Sequence, residues 1–384
     1  MDDWQNGGFG VYIHWPFCLA KCPYCDFNSH VSREIDHAAW RESLLTELRH
    51  QAALTGPRKV DTVFFGGGTP SLMHPETVAA LIDEAGKLWG YGNNPEITLE
   101  ANPTSVEAGK FADFSAAGVN RISMGIQSLS DTDLKDLGRM HSVEEALHAL
   151  DIAKAQFERV SFDLIYARQK QTPTSWFAEL RQALDLAVDH LSLYQLTIEQ
   201  GTRFGELYEK GKLKHLPPTD EAADMYLGTR EICAKYGLNG YETSNYARKG
   251  AESRHNLIYW RYGDYAGIGP GAHARLTLNG CRTALHTHLS PKKWLGSVAQ
   301  HGHGLHPSEP LTPEDQAIEY LMMSMRLTEG SDLKRYNALA ATPISPARIS
   351  QLEELGMIEA TQTTLKATAK GRPLLNSVLS ELLR

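Results

Sequence analysis

The sequence is short of cysteine, of basic charge and of long apolar runs, and each shortage excludes something. Lys and Arg number 38 against 46 Asp and Glu, for a formal net charge of −8. A dedicated binder of phosphate backbones carries the opposite balance, so nucleic acid is not an expected partner. No apolar stretch reaches the ~20 residues that a membrane-spanning helix requires. The opening MDDWQNGG is acidic and polar, unlike a secretory signal. The expected location is therefore the cytoplasm. Only 5 cysteines are present, and three of them, Cys18, Cys22 and Cys25, crowd into one short window. An odd, clustered set does not make a disulfide framework; it suits a metal site in a reducing compartment. Cys233 and Cys281 stand alone and read as ordinary thiols.

What is present is enough apolar residue, 42% of 384, to build a sizeable core. Short apolar, β-branched runs recur at Val11–Trp15, Thr62–Phe65, Glu96–Glu100, Arg121–Ile126, Val160–Ile165 and Leu191–Leu196. They lie roughly 25 to 50 residues apart, the period of a strand plus a crossover helix. Helices are expected at Trp40–Arg49, Val78–Trp89 and Val106–Ala117, the last stopped by Gly118. These units predict an α/β fold, a partial (β/α)6 TIM-like barrel.

After about Gly201 the texture changes. The expected division is a barrel over 1–240, a middle region rich in aromatics, glycine and histidine over 241–306, and a C-terminal module over 307–384. The stretch His301–Pro313 reads as a linker. In the module, Ile349–Leu355 reads as a helix, Gly356 as its stop and Met357–Ala367 as a hairpin. That order is winged-helix-like and α+β.

Polar residues recur in and after the strands: Cys18 follows the first, Gly66–Gly68 the second, Glu100 ends the third, Gln127 follows the fourth, Asp163 sits in the fifth and Gln195 falls near the end of the sixth. In (β/α) barrels the reacting groups gather at the C-terminal mouth of the strands. The motif Cys18-x-x-x-Cys22-x-x-Cys25 is the strongest signal. Thiolates are the usual ligands of a [4Fe–4S] cluster, and three of them on one tight loop leave the fourth iron open to a small chelating molecule. Zinc is the alternative, but it wants four closing ligands, and the nearby candidates for a fourth are His14 and His30.

Tyr12-x-His14-x-Pro16-Phe17-Cys18-x-x-x-Cys22-Pro23-Tyr24-Cys25 resembles the cluster loop of radical SAM proteins, and within them the anaerobic coproporphyrinogen III oxidase-like family. The resemblance runs through nearly the whole chain. It implies a [4Fe–4S] cluster on the three cysteines and S-adenosyl-L-methionine (SAM) beside it. The matching SAM positions are Tyr12, Tyr24, Gly67, Gly68, Thr69, Glu100, Gln127, Arg139, Asp163 and Gln195. One departure is visible: where the family usually has a Gly-Leu-Pro-type turn after the fifth strand, this chain has Ala167-Arg168-Gln169-Lys170-Gln171-Thr172.

Three features separate the branches of that family. Its oxidases carry a fourth cysteine where this chain has Phe27, and they have a longer segment ahead of the cluster loop. His255-Asn256-Leu257-Ile258-Tyr259-Trp260 is similar to the His-Asn-x-x-Tyr-Trp motif of the haem-chaperone branch. The resemblance therefore implies haem as cargo, with His255, Asn256, Tyr259 and Trp260 as haem-binding residues. The partners implied are haem-acceptor proteins, such as membrane respiratory enzymes, and a second copy of the chain on haem or cluster loading. The other reading is an oxygen-independent coproporphyrinogen III oxidase, a radical enzyme acting on a porphyrinogen. His286, His288, His301, His303 and His306 read as solvated loop residues rather than a metal site, and Ile268-Gly269-Pro270-Gly271-Ala272-His273 as backbone passing close to the core.

Overall fold

The computed structural model describes residues 2–32 and 34–384. Six strands, Phe9–Trp15, Val60–Gly67, Tyr91–Ala101, Arg121–Gln127, Arg159–Tyr166 and His190–Gln195, pair in parallel and in chain order. Helices cross over between most of them, including His37–Thr55, Pro75–Trp89, Val143–Gln156 and Pro173–Leu186. This is the expected partial barrel.

Its strands alternate, with Phe64 and Ile165 the apolar exceptions on the inner face. Val11, Ile13, Val63, Phe65, Ile97, Leu99, Ile122, Met124, Val160, Phe162, Leu191 and Leu193 belong to one apolar core with Leu44, Leu48, Val78, Leu81, Leu150 and Leu180 of the surrounding helices. Neighbouring strand positions have the opposite face, and there the residues are Tyr12, Thr62, Thr98, Glu100, Arg121, Ser123, Ser161, Asp163, Ser192 and Tyr194. An apolar exterior packed on helices and a polar lumen follow from this single periodicity.

The sheet does not stop at six strands. Asp264–Ile268 adds in parallel to the free edge of Phe9–Trp15, and the hairpin His273–Leu278/Cys281–His286 follows it. At the other edge Asn245–Ala247 and Asn239–Gly240 add antiparallel, giving eleven strands among the described residues. The stretch expected as a separate middle region, 241–306, thus lends strands to both edges of the barrel sheet. A second core cluster holds Tyr262 together with Tyr320, Leu321, Tyr336, Leu352, Leu365 and Leu379. Its small sheet has the order Ser331–Asp332, Thr364–Ala367, Ile358–Ala360, and Pro346–Glu354 precedes the hairpin, as expected of a helix followed by a wing.

The helix expected over Val106–Ala117 is two shorter ones, Ser105–Ala108 and Phe111–Ala116. The reason is a conflict of anchors. Glu107 is buried and its carboxylate accepts from the Ser71 hydroxyl and the Asn102 N–H, whereas Phe111 and Phe114 are buried in the core. One straight helix cannot satisfy both, and the chain breaks at Gly109.

Glu47 joins the barrel to the added strands. It is fully buried on the first long helix, and its carboxylate accepts from Gly269 N–H at 2.7 Å, Gly304 N–H at 2.7 Å and Trp294 Nε1 at 2.9 Å. Burial pushes its pKa up to about 7, and the three N–H donors pull against that rise. Glu47→Ala strands all three donors in the core. It should lower stability by at least about 3 kcal/mol, read as a shift of the denaturant midpoint at unchanged slope. A midpoint within error of the parent would show that the three contacts contribute nothing.

Candidate functional site

The three cysteines lie on the loop that follows the first strand. Backbone pairing holds this loop: Gly68 N–H donates to Trp15 O at 2.7 Å and Thr69 N–H to Phe17 O at 2.8 Å. A Cβ on Gly68 would lie 2.7 Å from Phe17 O, so glycine is required for the approach. The far end of the loop is tied by Asn28, whose amide donates to Pro270 O and Leu289 O, each at 2.9 Å. His14 closes the base, with Nε2 at 2.9 Å from Asn28 O and Nδ1 at 3.0 Å from the Tyr12 hydroxyl.

All three thiols are free and half-buried. Cys18 Sγ accepts from the Thr69 hydroxyl at 3.4 Å, and Cys22 Sγ from Arg139 Nη1 at 3.5 Å. Burial raises the pKa of Cys18 and Cys25, and the Thr69 hydroxyl works the other way at Cys18. Among the described residues no three His, Cys, Asp or Glu side chains converge on a single metal ion. Thiolates of a cubane each take a different iron, so they need not converge.

Above the loop stands the polar lumen. Glu100 accepts from Gly67 N–H at 3.3 Å. Arg139 Nη2 donates to Asn102 Oδ1 at 2.6 Å and to Gly125 O at 2.8 Å. Gln127 has φ of 71°, a left-handed backbone at the strand's end. Three buried polar atoms here have no partner: Gln127 Oε1, Asp163 Oδ1 and Arg139 Nε. Orphaned buried groups of this kind are rare in a finished interior. Two carboxyls, an amide oxygen and a guanidinium suit the ammonium, carboxylate and sulfonium of SAM, so the residues present fit that ligand.

Most of the expected SAM positions therefore meet around one loop: Gly67, Gly68, Thr69, Glu100, Gln127, Arg139 and Asp163. Tyr12 joins them through His14. Tyr24 lies beside Arg139 and Cys22, its ring tilted against Phe204. Gln195 is different. Its ladder partner is Tyr166, which stacks on Trp176 of an outer helix, so Gln195 belongs to the outer face. By alternation the inward residue is Tyr194, 41% exposed, and Asp163, Glu242 and Glu100 all lie near its phenol. Alternation from Ser192 was the signal that finds it. Asn102 and Arg121 were also passed over; Asn102 bridges Arg139 to the Thr69 hydroxyl, 3.2 Å away.

The departing turn after the fifth strand has a defined job. Arg168 is buried, donating to Ile165 O at 2.6 Å, Glu179 at 2.6 Å, Asp133 at 2.8 Å and Gln127 O at 3.4 Å. A cation thus replaces the usual apolar turn and fastens the strained Gln127 from behind.

The motif expected to bind haem is split by the structure. It forms the short helix Arg254–Trp260. His255 is 1% exposed, with Nδ1 at 2.6 Å from Thr62 Oγ1 and Nε2 at 2.7 Å from the Tyr259 hydroxyl. Burial, with Arg121 nearby, lowers its pKa to about 3. It stacks on Phe64 inside the barrel and has no nitrogen to offer an iron in this conformation. Asn256 takes part in the helix cap, its N–H donating to Ser253. Tyr259 and Trp260 do line a cavity of about 800 Å³, with Phe27, His30, Tyr262, Tyr265, His273 and Arg275. Of the remaining histidines, His286 and His288 lie against His306, with ring centroids 4.8 Å and 4.1 Å apart.

With the geometry in view, the comparisons are direct. The family model of the radical SAM superfamily matches residues 12–177, and that of the HemN C-terminal domain matches 311–374. The mitochondrial radical S-adenosyl methionine domain-containing protein 1 of Bos taurus is 38% identical over 384 residues, spanning 97% of this chain and 87% of that protein. The haem chaperone HemW of Escherichia coli (strain K12) is 37% identical over 378 residues, 96% of each chain. Among solved structures, the coproporphyrinogen III oxidase HemN of Escherichia coli superposes with a TM-score of 0.80 at 22% identity, covering 99% of this chain and 92% of that one. The barrel and its cysteine loop are those of a radical SAM protein. More narrowly, this chain belongs to the radical SAM family that includes HemW and radical S-adenosyl methionine domain-containing protein 1. No helix among the described residues is long and apolar enough to cross a membrane.

Burial pushes the Glu100 carboxyl up to about 8, with Asp163 adding to the rise, and pushes Asp163 up to about 6. In the ligand-free chain these groups erode stability as pH climbs from the ordinary carboxyl range through the raised values. A cation in the lumen favours the ionised forms. Binding of SAM at about pH 7 should therefore release protons, chiefly from Glu100, and the release should fade by about pH 9, where that group is already ionised. Calorimetry in buffers of different ionisation heat counts them. A count of zero at both pH values would contradict this assignment of the lumen.

Proposed function

We propose that this chain is a haem carrier that hands its cargo to an acceptor protein, with a [4Fe–4S] cluster on Cys18, Cys22 and Cys25 and SAM in the adjoining lumen. When bound, the cluster and SAM supply one-electron chemistry. The chain's own residues do the holding: Thr69 and Arg139 donate to two of the sulfurs, while Glu100 and Asp163 provide the carboxyls of the lumen.

One observation carries the reading. The cavity of about 800 Å³ is lined by the cluster-loop residues Lys21, Asp26, Phe27 and Asn28, by Tyr259, Trp260, Tyr262 and Tyr265, and by Tyr12, Gly67 and Glu100 of the lumen, with which it is continuous. Drug-sized ligands occupy pockets of roughly 300–1,000 Å³, and flat aromatic walls suit a macrocycle. Phe27, where the family's oxidases carry a cysteine, is 59% exposed on this cavity, so the wall there is apolar. The relatives named haem chaperone match nearly their whole length, which supports the carrier over the oxidase.

Two measurements test it together. Cluster-loaded protein titrated with haem should show a Soret shift that saturates at one equivalent and passes to an acceptor on mixing. An anaerobic incubation with reductant, SAM and coproporphyrinogen III should yield no protoporphyrinogen. Formation of that product, or a titration that never saturates, would overturn the proposal. His255→Ala should lower stability by about 2–4 kcal/mol, since it leaves the Thr62 and Tyr259 hydroxyls facing a void, and in folded protein the Soret shift should survive.

A further inference from the structure

The carrier reading leaves the iron without a ligand, because His255 is enclosed. Three other histidines line the same cavity: His14, His30 and His273. His14 has both ring nitrogens engaged, by Tyr12 and by Asn28 O. His30 has Nε2 at 3.2 Å from Asn28 Oδ1, within the knot that ties down the cluster loop. His273 is exposed, and among the described residues no hydrogen bond engages its ring.

Its surroundings add to this. His273 and Arg275 are two residues apart on the strand His273–Leu278. They therefore share a face, and both line the cavity. Arg275 is held by Glu319 of the C-terminal module, Nη2 to Oε1 at 2.7 Å, and Glu319 lines the cavity as well. An imidazole for a metal and a guanidinium for a carboxylate thus stand one strand repeat apart, Arg275 directly across the ladder from Tyr265 of the aromatic wall.

We infer that His273 is the axial ligand of haem iron in this chain and that Arg275 takes a haem propionate, releasing Glu319. The inference rests on the carrier reading and replaces His255 as the ligand. Coordination needs no redox step: a neutral imidazole nitrogen donates its lone pair to the iron, and no proton is displaced. The strand explains the choice of residue. Gly269 and Gly271 have φ of 100° and 80°, and the turn they make is pinned by Glu47 and Asn28. His273 therefore projects from a fixed edge rather than a loose loop.

The test uses full-length, cluster-loaded protein with ferric haem as the probe, read by optical and electron paramagnetic resonance spectra. Wild type should show the signature of an imidazole-ligated haem. His273→Gly should lose that signature and weaken haem binding at least about tenfold (about 1.4 kcal/mol), with iron and sulfide content unchanged. Free imidazole should restore the signature, which a merely structural role for the ring would not allow. Arg275→Gln should weaken binding while leaving the ligation spectrum intact. If wild type binds no haem, the carrier reading fails and this inference with it. If wild type binds haem with an imidazole signature that His273→Gly retains, or that His30→Ala removes instead, the carrier reading stands and this inference is wrong.

Discussion

The polar lumen of the barrel is the constraint on which the rest of the molecule depends. A (β/α) barrel is ordinarily filled by branched apolar side chains. Here the inward positions carry Glu100, Asp163, Arg121, Ser123, Ser161 and Tyr194, with Arg139 reaching over the mouth. Such groups are costly to bury unless they are paired. The lower lumen is partly paired within itself: Arg121 donates to Ser161 at 2.9 Å, and Ser161 to Ser123 at 3.0 Å, while the Thr98 hydroxyl stays unpaired. In the upper lumen Gln127, Asp163 and Arg139 carry unmatched buried atoms, and polar groups of this kind suit a charged ligand. The interior is thus a fold that stays electrostatically unfinished at one end, and that end adjoins the cysteine loop.

The same demand shapes the elements outside the lumen. Arg168 and Glu179 brace the turn behind Gln127, whose carbonyl and left-handed backbone set where its amide enters the site. Glu107 and Asn102 do the equivalent work behind Thr69 and Arg139. Each is a buried polar residue placed one layer away from a ligand position, and preorganisation of this kind is what lets a site hold a charged group without rearranging.

Much of this was legible in the sequence, for a physical reason. Strand periodicity is local, so the six barrel strands and the polar residues in and after them could be read from spacing, as Cys18, Gly67, Glu100, Gln127 and Asp163 illustrate, while their roles came from the resemblance. Alternation within a strand is equally local, and it puts Tyr194 rather than Gln195 on the inward face of the last barrel strand. The edge strands Asp264–Ile268 and His273–Leu278 were illegible because their pairing with Phe9–Trp15 is long-range. No short pattern announces which edge a distant segment will join. The break at Gly109 was hidden similarly, since it depends on Ser71 and Asn102 capturing Glu107.

The motif around His255 shows where residue type and residue role part company. A helical spacing of four puts His255 and Tyr259 on one face, so the motif was bound to bring imidazole and phenol together. Whether the pair faces a ligand depends on what else fills the barrel. Thr62 takes the first ring nitrogen, Tyr259 the second, and Phe64 stacks on the ring, so the histidine completes the barrel floor and the tyrosine and tryptophan become the cavity wall. Beside that wall the cavity is lined by the strand His273–Leu278, whose Arg275 pairs across the ladder with Tyr265, and by Glu319, whose carboxylate holds both Arg275 and the Tyr262 hydroxyl. A ligand carboxylate competing for Arg275 would loosen one of the ties between the C-terminal module and the barrel. On the proposed reading, a cargo carboxylate and the docked module would draw on the same guanidinium, that of Arg275.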